Sequence, residues 1–146
     1  MDFGTYSFQD VIVTFKVPYF AAFSSTGAGL GSISIVPSTT KTIQDVAADG
    51  RVMISKVAGN NGTIAITMQQ NSLLHKNLLN WYNYINTTAS TSDWASTTVI
   101  IANAALGEKT TATGVSPQKL ADKPYQAQGQ MITWTLMAAN IHEENI

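Results

Sequence analysis

The side chains that usually carry acid–base chemistry are few in this chain and stand far apart. It contains two histidines, His75 and His142, and no cysteine. Without cysteine there is no disulfide framework or thiolate metal site, and two histidines are too few for the usual structural zinc sites. His75 falls on the polar side of a predicted helix, and His142 precedes Glu143 and Glu144 in a polar tail. We interpret both histidines as solvated surface side chains.

Carboxylates offer no better candidate for catalysis. The chain has neither a Gly-x-Ser-x-Gly nucleophile elbow nor a His-Glu-x-x-His metal pair. Asp49 before Gly50 is typical of a turn. The other aspartates considered also fall in predicted strands or loops: Asp10, Asp45 and Asp122. We expect no enzymatic activity and no catalytic, cofactor-binding or metal-binding residues.

Two further patterns suggest a binding site at first sight. The glycines of the run 27–31 could cradle a phosphate, but they precede a predicted strand, whereas phosphate loops follow a strand and open a helix. Trp81 and Trp134 fall on predicted apolar faces, which favours core packing over a sugar-binding platform. Trp94 lies in a polar loop and stays open between the two interpretations.

Length and composition favour one globular domain with a low-charge surface. The 146 residues fit a single domain, 1–146, and only 12% of them are charged, against about a quarter in typical domains. The eight basic residues are scattered, which argues against nucleic-acid binding through a basic patch. Because charged residues are depleted in interface cores, the composition suits a surface largely covered by other copies.

Neither a targeting nor a membrane segment is expected. The first residues include the acidic Asp2 and lack the apolar run of a signal peptide. No stretch approaches the roughly 18 consecutive apolar residues of a transmembrane helix.

Alternating apolar and polar residues predict a mainly β chain, a β-barrel or sandwich with one flanking helix at about residues 72–85. The Asn-Gly turn at 59–62 predicts a hairpin that pairs Arg51–Val57 with Thr63–Gln69. The register of its first arm stays open, because loops of two and three residues bury opposite faces. Further strands are predicted at 7–15, 32–36, 97–101 and 130–139, a strand or turn at 42–46, and long connections at 20–31 and 102–126.

Periodicity also divides the side chains of these elements into two faces. In Thr63–Gln69, every second residue is large and apolar, while the others are small, hydroxylated or amide-bearing. The helix repeats apolar residues at three- and four-residue spacing. The predicted core comprises Val11, Val13, Ile64, Ile66, Met68, Leu74, Leu78, Trp81, Ile132, Trp134 and Leu136.

Several short signatures occur in one order along almost the whole chain. They are Tyr6-Ser7-Phe8-x-Asp10-Val11, Gly29-x-Gly31-x-Ile33, Ala48-Asp49-Gly50-x-Val52-Met53, Gly62-Thr63, Leu79-x-x-Tyr82-Asn83, Trp94, Gly107 and Trp134. Each is weak alone, but together they resemble the tail-tube proteins of contractile-tailed bacteriophages.

This resemblance implies a structural protein of the virion tail, assembled in the host bacterial cytoplasm. Its copies would form hexameric rings that stack as the inner tube, with tail sheath, tape-measure and baseplate proteins as partners. Phage DNA would pass through the lumen without sequence-specific binding. The implied lumen-facing residues are Thr63, Ala65, Thr67, Gln69, Thr133 and Thr135. The implied inter-subunit contacts on the long connections are Phe20, Phe23, Leu30, Leu106 and Tyr125.

Two alternatives remain at this point. A tube from a phage-derived bacteriocin or a secretion system would have the same subunit physics. A monomeric β-sandwich that binds glycans or a small apolar ligand is the rival from another functional class.

Overall fold

The computed structural model describes residues 5–26, 30–87 and 90–146. Within these residues the chain forms nine strands, one α-helix and two short 3₁₀ turns, Phe8–Asp10 and Thr91–Asp93. The strands are β1 (Val11–Lys16), β2 (Phe23–Ser25), β3 (Leu30–Pro37), β4 (Thr42–Val46), β5 (Val52–Lys56), β6 (Gly62–Gln69), β7 (Thr97–Asn103), β8 (Glu108–Pro117) and β9 (Met131–Asn145). The helix, α1, is Leu73–Thr87.

Seven of these strands form one antiparallel sheet in the order β2-β1-β7-β8-β9-β6-β3. The sheet is curled. Ile33 and Ile35 of the edge strand β3 therefore line the same concavity as Val11 of β1 and Ile101 of β7, although these strands are not neighbours in the sheet. Alternate residues of β1, β6, β7 and the first half of β9 are buried inside the curl. The other two strands, β4 and β5, form a separate hairpin.

The helix covers the open side of the curled sheet. The Ser72 hydroxyl caps it by accepting a hydrogen bond from the His75 backbone N–H at 3.2 Å. Its apolar stripe reaches the core, where the Trp81 indole N–H donates to the Thr97 hydroxyl at 2.9 Å and its ring lies 6.1 Å from that of Phe15. The helix contacts both β2 and β6, which are far apart in the sheet. The predicted mainly β fold with one flanking helix is therefore correct.

The core contains every residue that the sequence placed there. The least buried of the eleven is Val11, which is 7% exposed. Phe15, Val99 and Val115 also belong to the core and are fully buried. Among the described residues, no helix is long and apolar enough to span a membrane.

The predicted hairpin between Arg51–Val57 and Thr63–Gln69 is wrong. Strand β5 pairs with β4, from Val46 opposite Val52 to Thr42 opposite Lys56, while β6 lies between β3 and β9. The deciding turn is Asp49-Gly50: Gly50 has φ +87°, and the Asp49 carboxylate accepts from the Arg51 backbone N–H at 3.0 Å. The connections 47–51 and 57–61 are equally long, so loop length does not decide the pairing.

The predicted long loop at 102–126 is also incorrect, because it contains β8. Gly107, with φ +72°, turns the chain from β7 into β8. Strand β8 alternates weakly in the sequence because threonines occupy both of its faces. It pairs with a β9 that runs to Asn145, so the predicted polar tail is a strand as well.

The connection predicted at 20–31 includes β2 and the start of β3. The glycines at 27 and 29, which belong to the run considered as a phosphate loop, lie outside the described residues. So do residues 1–4, which include the Asp2 used in the signal-peptide argument.

Candidate functional site

The outer face of β3, β6 and the first part of β9 (131–137), opposite the core, is a continuous surface without charged side chains. Thr67 pairs with Ser32 on one side and with Thr133 on the other, and Ala65 pairs in the same way with Ser34 and Thr135. We call this surface the wall; it comprises Ser32, Ser34, Val36, Thr63, Ala65, Thr67, Gln69, Met131, Thr133, Thr135 and Met137. All six residues predicted to face a lumen lie on it.

The middle of the wall carries only short side chains. Threonine is β-branched and short, so it fits a pleated surface without projecting far from it. The Thr67 and Thr133 hydroxyl oxygens lie 2.9 Å apart and hydrogen-bond to each other across the strands. Part of the hydroxyl layer is thus satisfied within the protein, which leaves fewer free donors for a passing molecule.

Charged residues reach only the rim of the wall. The segment that follows β8 brings Lys119, Asp122 and Lys123 beside Met131, Thr133 and Thr135. The Lys119 ammonium lies 3.2 Å from the Asp122 carboxylate. The segment is fixed by the Gln70 side-chain amide, which donates to the Pro124 carbonyl at 2.7 Å.

A second surface is the hairpin formed by β4 and β5, residues 42–56, which we call the arm. Each of its residues is exposed. Large apolar side chains nevertheless occupy it, including Ile43, Val46, Met53 and Ile54, whose exposed fractions run from 55% to 66%. An isolated two-stranded hairpin is only marginally stable in water, and exposed apolar clusters mark interaction surfaces. The arm therefore has the character of a binding element.

The residues predicted as inter-subunit contacts fall into two groups. Leu106 and Tyr125 are exposed, by 48% and 82%. Leu30 is buried in the core, Phe23 stacks on Phe15 with ring centroids 4.7 Å apart, and Phe20 is half-buried with its ring 5.0 Å from that of Tyr84. Their burial within one chain requires no neighbouring copy.

His75 is buried, so its prediction as a solvated residue is wrong. The Trp134 indole N–H donates to its Nδ1 at 3.1 Å. Burial, and secondarily the nearby Lys123 ammonium, lower the pKa of His75 below its ordinary 6.5. The imidazole is therefore neutral and serves as the acceptor that a buried tryptophan needs. His142 is exposed as expected, 3.7 Å from the Glu144 carboxylate, but it lies in a strand.

The remaining chemical candidates are not brought together. Trp94 is half-buried against the core, while Trp81 and Trp134 are fully buried, so the three indoles form no exposed platform. Among the described residues there is no group of three His, Asp or Glu side chains that could hold a metal ion.

The sequence did not single out the arm as a functional element. The signal for it was the Asp49-Gly50 turn flanked by apolar residues on both sides, with β4 predicted as either strand or turn. The Asn-Gly turn at 59–62 predicted a different partner for β5, so the pairing of β4 with β5 was not predicted.

A family model described as "Bacteriophage PhiTE tail tube protein" matches residues 3–145. No curated protein is recognisably similar in sequence.

Similarity to solved structures is clear in fold and low in sequence. A chain in the cryo-EM structure of the anti-feeding prophage baseplate superposes with a TM-score of 0.68 at 14% identity, covering 99% of this chain and 98% of that one. A chain of the PVC sheath–tube complex, an extracellular contractile injection system in its extended state, gives a TM-score of 0.62 at 14% identity, with 97% and 93% covered. A chain of the anti-feeding prophage tube-terminating cap gives 0.61 at 10% identity, with 100% and 94% covered.

Proposed function

The chain belongs to the family of bacteriophage PhiTE tail tube proteins, and from that premise we propose that its copies close into hexameric rings that stack as the inner tube of a contractile tail. The protein is a structural tube subunit. Its task is then to present one face to a lumen and other surfaces to further copies, with no catalytic step and no cofactor.

The observation that carries this proposal is the uncharged wall. DNA that crosses a tube must slide, and each phosphate neutralised by Lys or Arg adds salt-dependent affinity that would hold it in place. Short hydroxyl and methyl groups make no such contact. We assign the lumen surface to Thr63, Ala65, Thr67, Gln69, Thr133 and Thr135, with Ser32 and Ser34 of β3 beside them.

The position of the basic residues agrees with this assignment. Lys56 lies in the arm and Arg51 in its turn, so neither belongs to the surface that we assign to the lumen. Lys119 and Lys123 stand at its rim, where Asp122 partly balances their charge.

The arm and the sheet edges suit contacts between copies. Within the described residues, β2 and β3 each pair on one side only, so neighbouring copies can cover edges that a lone subunit leaves open. The exposed apolar arm meets a different surface of the next copy, because a contact between unlike surfaces propagates into a stack instead of closing. Leu106 and Tyr125 are further candidates for such contacts.

The proposed setting is the virion tail, assembled in the cytoplasm of the host bacterium. The partners are a surrounding sheath, a tape-measure protein that fills the lumen before infection, a baseplate, and the DNA that passes afterwards. Support comes from the family and from the fold shared with chains of sheath–tube and baseplate complexes.

A tube from an injection particle is a variant of the same function. The fold shared with anti-feeding prophage and PVC chains favours keeping it, although likeness at this identity speaks only for the fold. Neighbouring genes for capsid and DNA packaging would identify a phage, and genes for toxin cargo an injection particle.

Electron microscopy and sedimentation of the purified protein test the proposal. We expect rings or tubes with an open lumen that lengthen as protein concentration rises. A monomer that persists at high concentration would instead favour the monomeric binding module.

A further inference from the structure

The arm joins the rest of the subunit at a base of two short segments, residues 38–41 and 57–61. Two backbone hydrogen bonds connect them: the Val57 N–H donates to the Lys41 carbonyl at 2.9 Å, and the Ser38 N–H donates to the Asn61 carbonyl at 3.0 Å. These bonds join the two ends of the base. Between them, side-chain hydrogen bonds connect the two segments.

The side chains at the base cross from one segment to the other. The Lys41 ammonium donates to the Gly59 carbonyl and, at 2.7 Å, to the Asn60 side-chain oxygen. Beside it, the Thr39 hydroxyl donates to the Asn61 side-chain oxygen. Hydrogen bonds from a charged donor are roughly twice as strong as neutral ones, so the lysine adds a charge-assisted tie across the base.

The base is also tied to the main sheet. The Asn60 carbonyl accepts from the Ile141 backbone N–H at 2.7 Å, and Asn60 forms an isolated bridge with Asn140 of β9. The residue that Lys41 holds is therefore the one fixed against the long strand that carries part of the wall.

Beyond its base, the arm has no strand partner among the described residues. Strands β4 and β5 pair with each other and with no other described strand, and both of their faces are exposed. Rotation at the base would swing the whole apolar surface of the arm away from a neighbouring copy without disturbing the core.

We propose that Lys41 is a positioning residue for tube assembly, whose two hydrogen bonds hold the arm at the angle needed to meet the next copy. The inference rests on the proposed function, in which the arm contacts another copy. A preformed arm lowers the ordering cost of each addition, since the surface that binds is already in place.

The first test compares Lys41→Met with Lys76→Met, which removes the same charge from an exposed position on α1, outside the arm and its base. We expect Lys41→Met to raise the protein concentration needed for tube growth by about tenfold and Lys76→Met to leave it near wild type. The melting temperature of the isolated subunit should be the same for both variants. Lys41→Arg, which keeps two donors, should restore growth. Equal growth of Lys41→Met and wild type, or equal loss in both methionine variants, would overturn the proposal.

A covalent tie tests position separately from charge. A Cβ at Gly59 would lie 3.7 Å from the Thr39 Cβ, which is disulfide distance, and the chain has no cysteine to interfere. In a Lys41→Met background, Thr39→Cys with Gly59→Cys should form tubes when oxidised and fewer when reduced. Both states carry the same strain from a side chain at φ +122°, so they differ only in the tie. Equal assembly in the two redox states would contradict a positioning role.

A third variant separates this inference from the proposed function. Ile54→Asp places a charge on the exposed arm without touching its base. If Ile54→Asp grows tubes as wild type does, the arm contact itself is wrong. If Ile54→Asp stops growth while Lys41→Met does not, the arm contact stands and only the role of Lys41 falls.

Discussion

His75 and Trp134 meet in the core because each meets a need of the other. The buried indole N–H requires an acceptor, and a neutral imidazole nitrogen 3.1 Å away provides one without bringing a charge into the core. The sequence predicted Trp134 in the core from strand alternation, but His75 stands beside Leu74 at the edge of the helical stripe and its partner is 59 residues away. A pairing across that separation leaves no local pattern, which is why this site could not be predicted.

This pair predicts acid sensitivity. Because the folded protein holds the pKa of His75 below 6.5, the unfolded chain binds a proton more readily as pH falls through that value. The stability linked to neutral His75 should be fully present above about pH 6.5, the ordinary pKa of histidine. It should be lost as the pH falls from there to the lowered pKa of His75 in the folded protein. Melting temperatures measured from about pH 8 down to about pH 5 would detect the decline. His75→Gln keeps an acceptor for the indole without titrating, so its profile should be flatter; an unchanged slope would assign the decline to other groups.

Trp134 itself should dominate the stability of the subunit. Its side chain is fully buried, so Trp134→Ala should lower the free energy of unfolding by about 3–5 kcal/mol. Trp134→Phe keeps most of the packing and leaves His75 without its donor, with an expected loss of about 1–3 kcal/mol. Denaturant unfolding measures both. A loss below about 1 kcal/mol for the alanine variant would show that the cavity collapses or that the residue is not buried in solution.

At the scale of elements, local patterns succeeded where one strand or helix buries one face. The alternation of β6 and the apolar stripe of α1 both follow from burial on a single side, and the helix was predicted within two residues of its observed ends, Leu73–Thr87. Pairing partners were harder to predict. Two turns, at 47–50 and 59–62, competed for β5, and periodicity within a strand says nothing about which neighbour it pairs with.

Strand β8 was missed for a different physical reason. It changes phase at Gly114, so the buried Ala112 and Val115 are three residues apart, whereas the buried Val115 and Pro117 keep the usual spacing of two. The positive φ of Gly114, +63°, accommodates this irregularity opposite Ala139 of β9. A strand that breaks its own alternation resembles a loop in the sequence.

Gly114 is therefore expected to tolerate no side chain. A Cβ there would lie 2.7 Å from the Ala139 Cβ, whereas a Cβ at Gly107, which has a similar φ of +72°, would meet nothing closer than 3.6 Å. Gly107→Ala should lower the free energy of unfolding by about 1–2 kcal/mol, because alanine is disfavoured in the left-handed conformation. Gly114→Ala should lower it by that amount and by about 1–3 kcal/mol more, because of overpacking. Urea unfolding compares them directly. Equal losses would mean that β9 moves aside at no cost.

At the scale of the whole molecule, the exposed apolar residues and open sheet edges of one subunit fit a protein that assembles with other copies. A single subunit exposes the apolar residues of the arm to solvent. It also has two sheet edges, β2 and β3, without partners among the described strands. The low charge content pointed to covered surfaces from the start, but composition cannot say which surfaces are covered. The strand pairing identifies the arm, because β5 pairs with β4 and not with β6 of the wall.

The last prediction concerns the wall as a passage for DNA. Thr67 lies in the middle of β6, bonded to Thr133 and flanked by Ser32, so Thr67→Lys introduces a cation on each copy in a surface that otherwise has none. Because the change is far from the arm, rings and tubes should still form. A ring of ammonium groups would then bind phosphates as they pass, and DNA ejection should slow in a way that added salt relieves.

Thr67→Val is the matched control, since it removes the same hydroxyl and keeps the β-branched shape without adding charge. Its ejection rate should stay near wild type. Ejection is followed by dye uptake into released DNA, with tube integrity checked by electron microscopy. Wild-type ejection from intact Thr67→Lys tubes at low salt would show that Thr67 does not face the passage, and equal slowing in both variants would point to the lost hydroxyl instead of the charge.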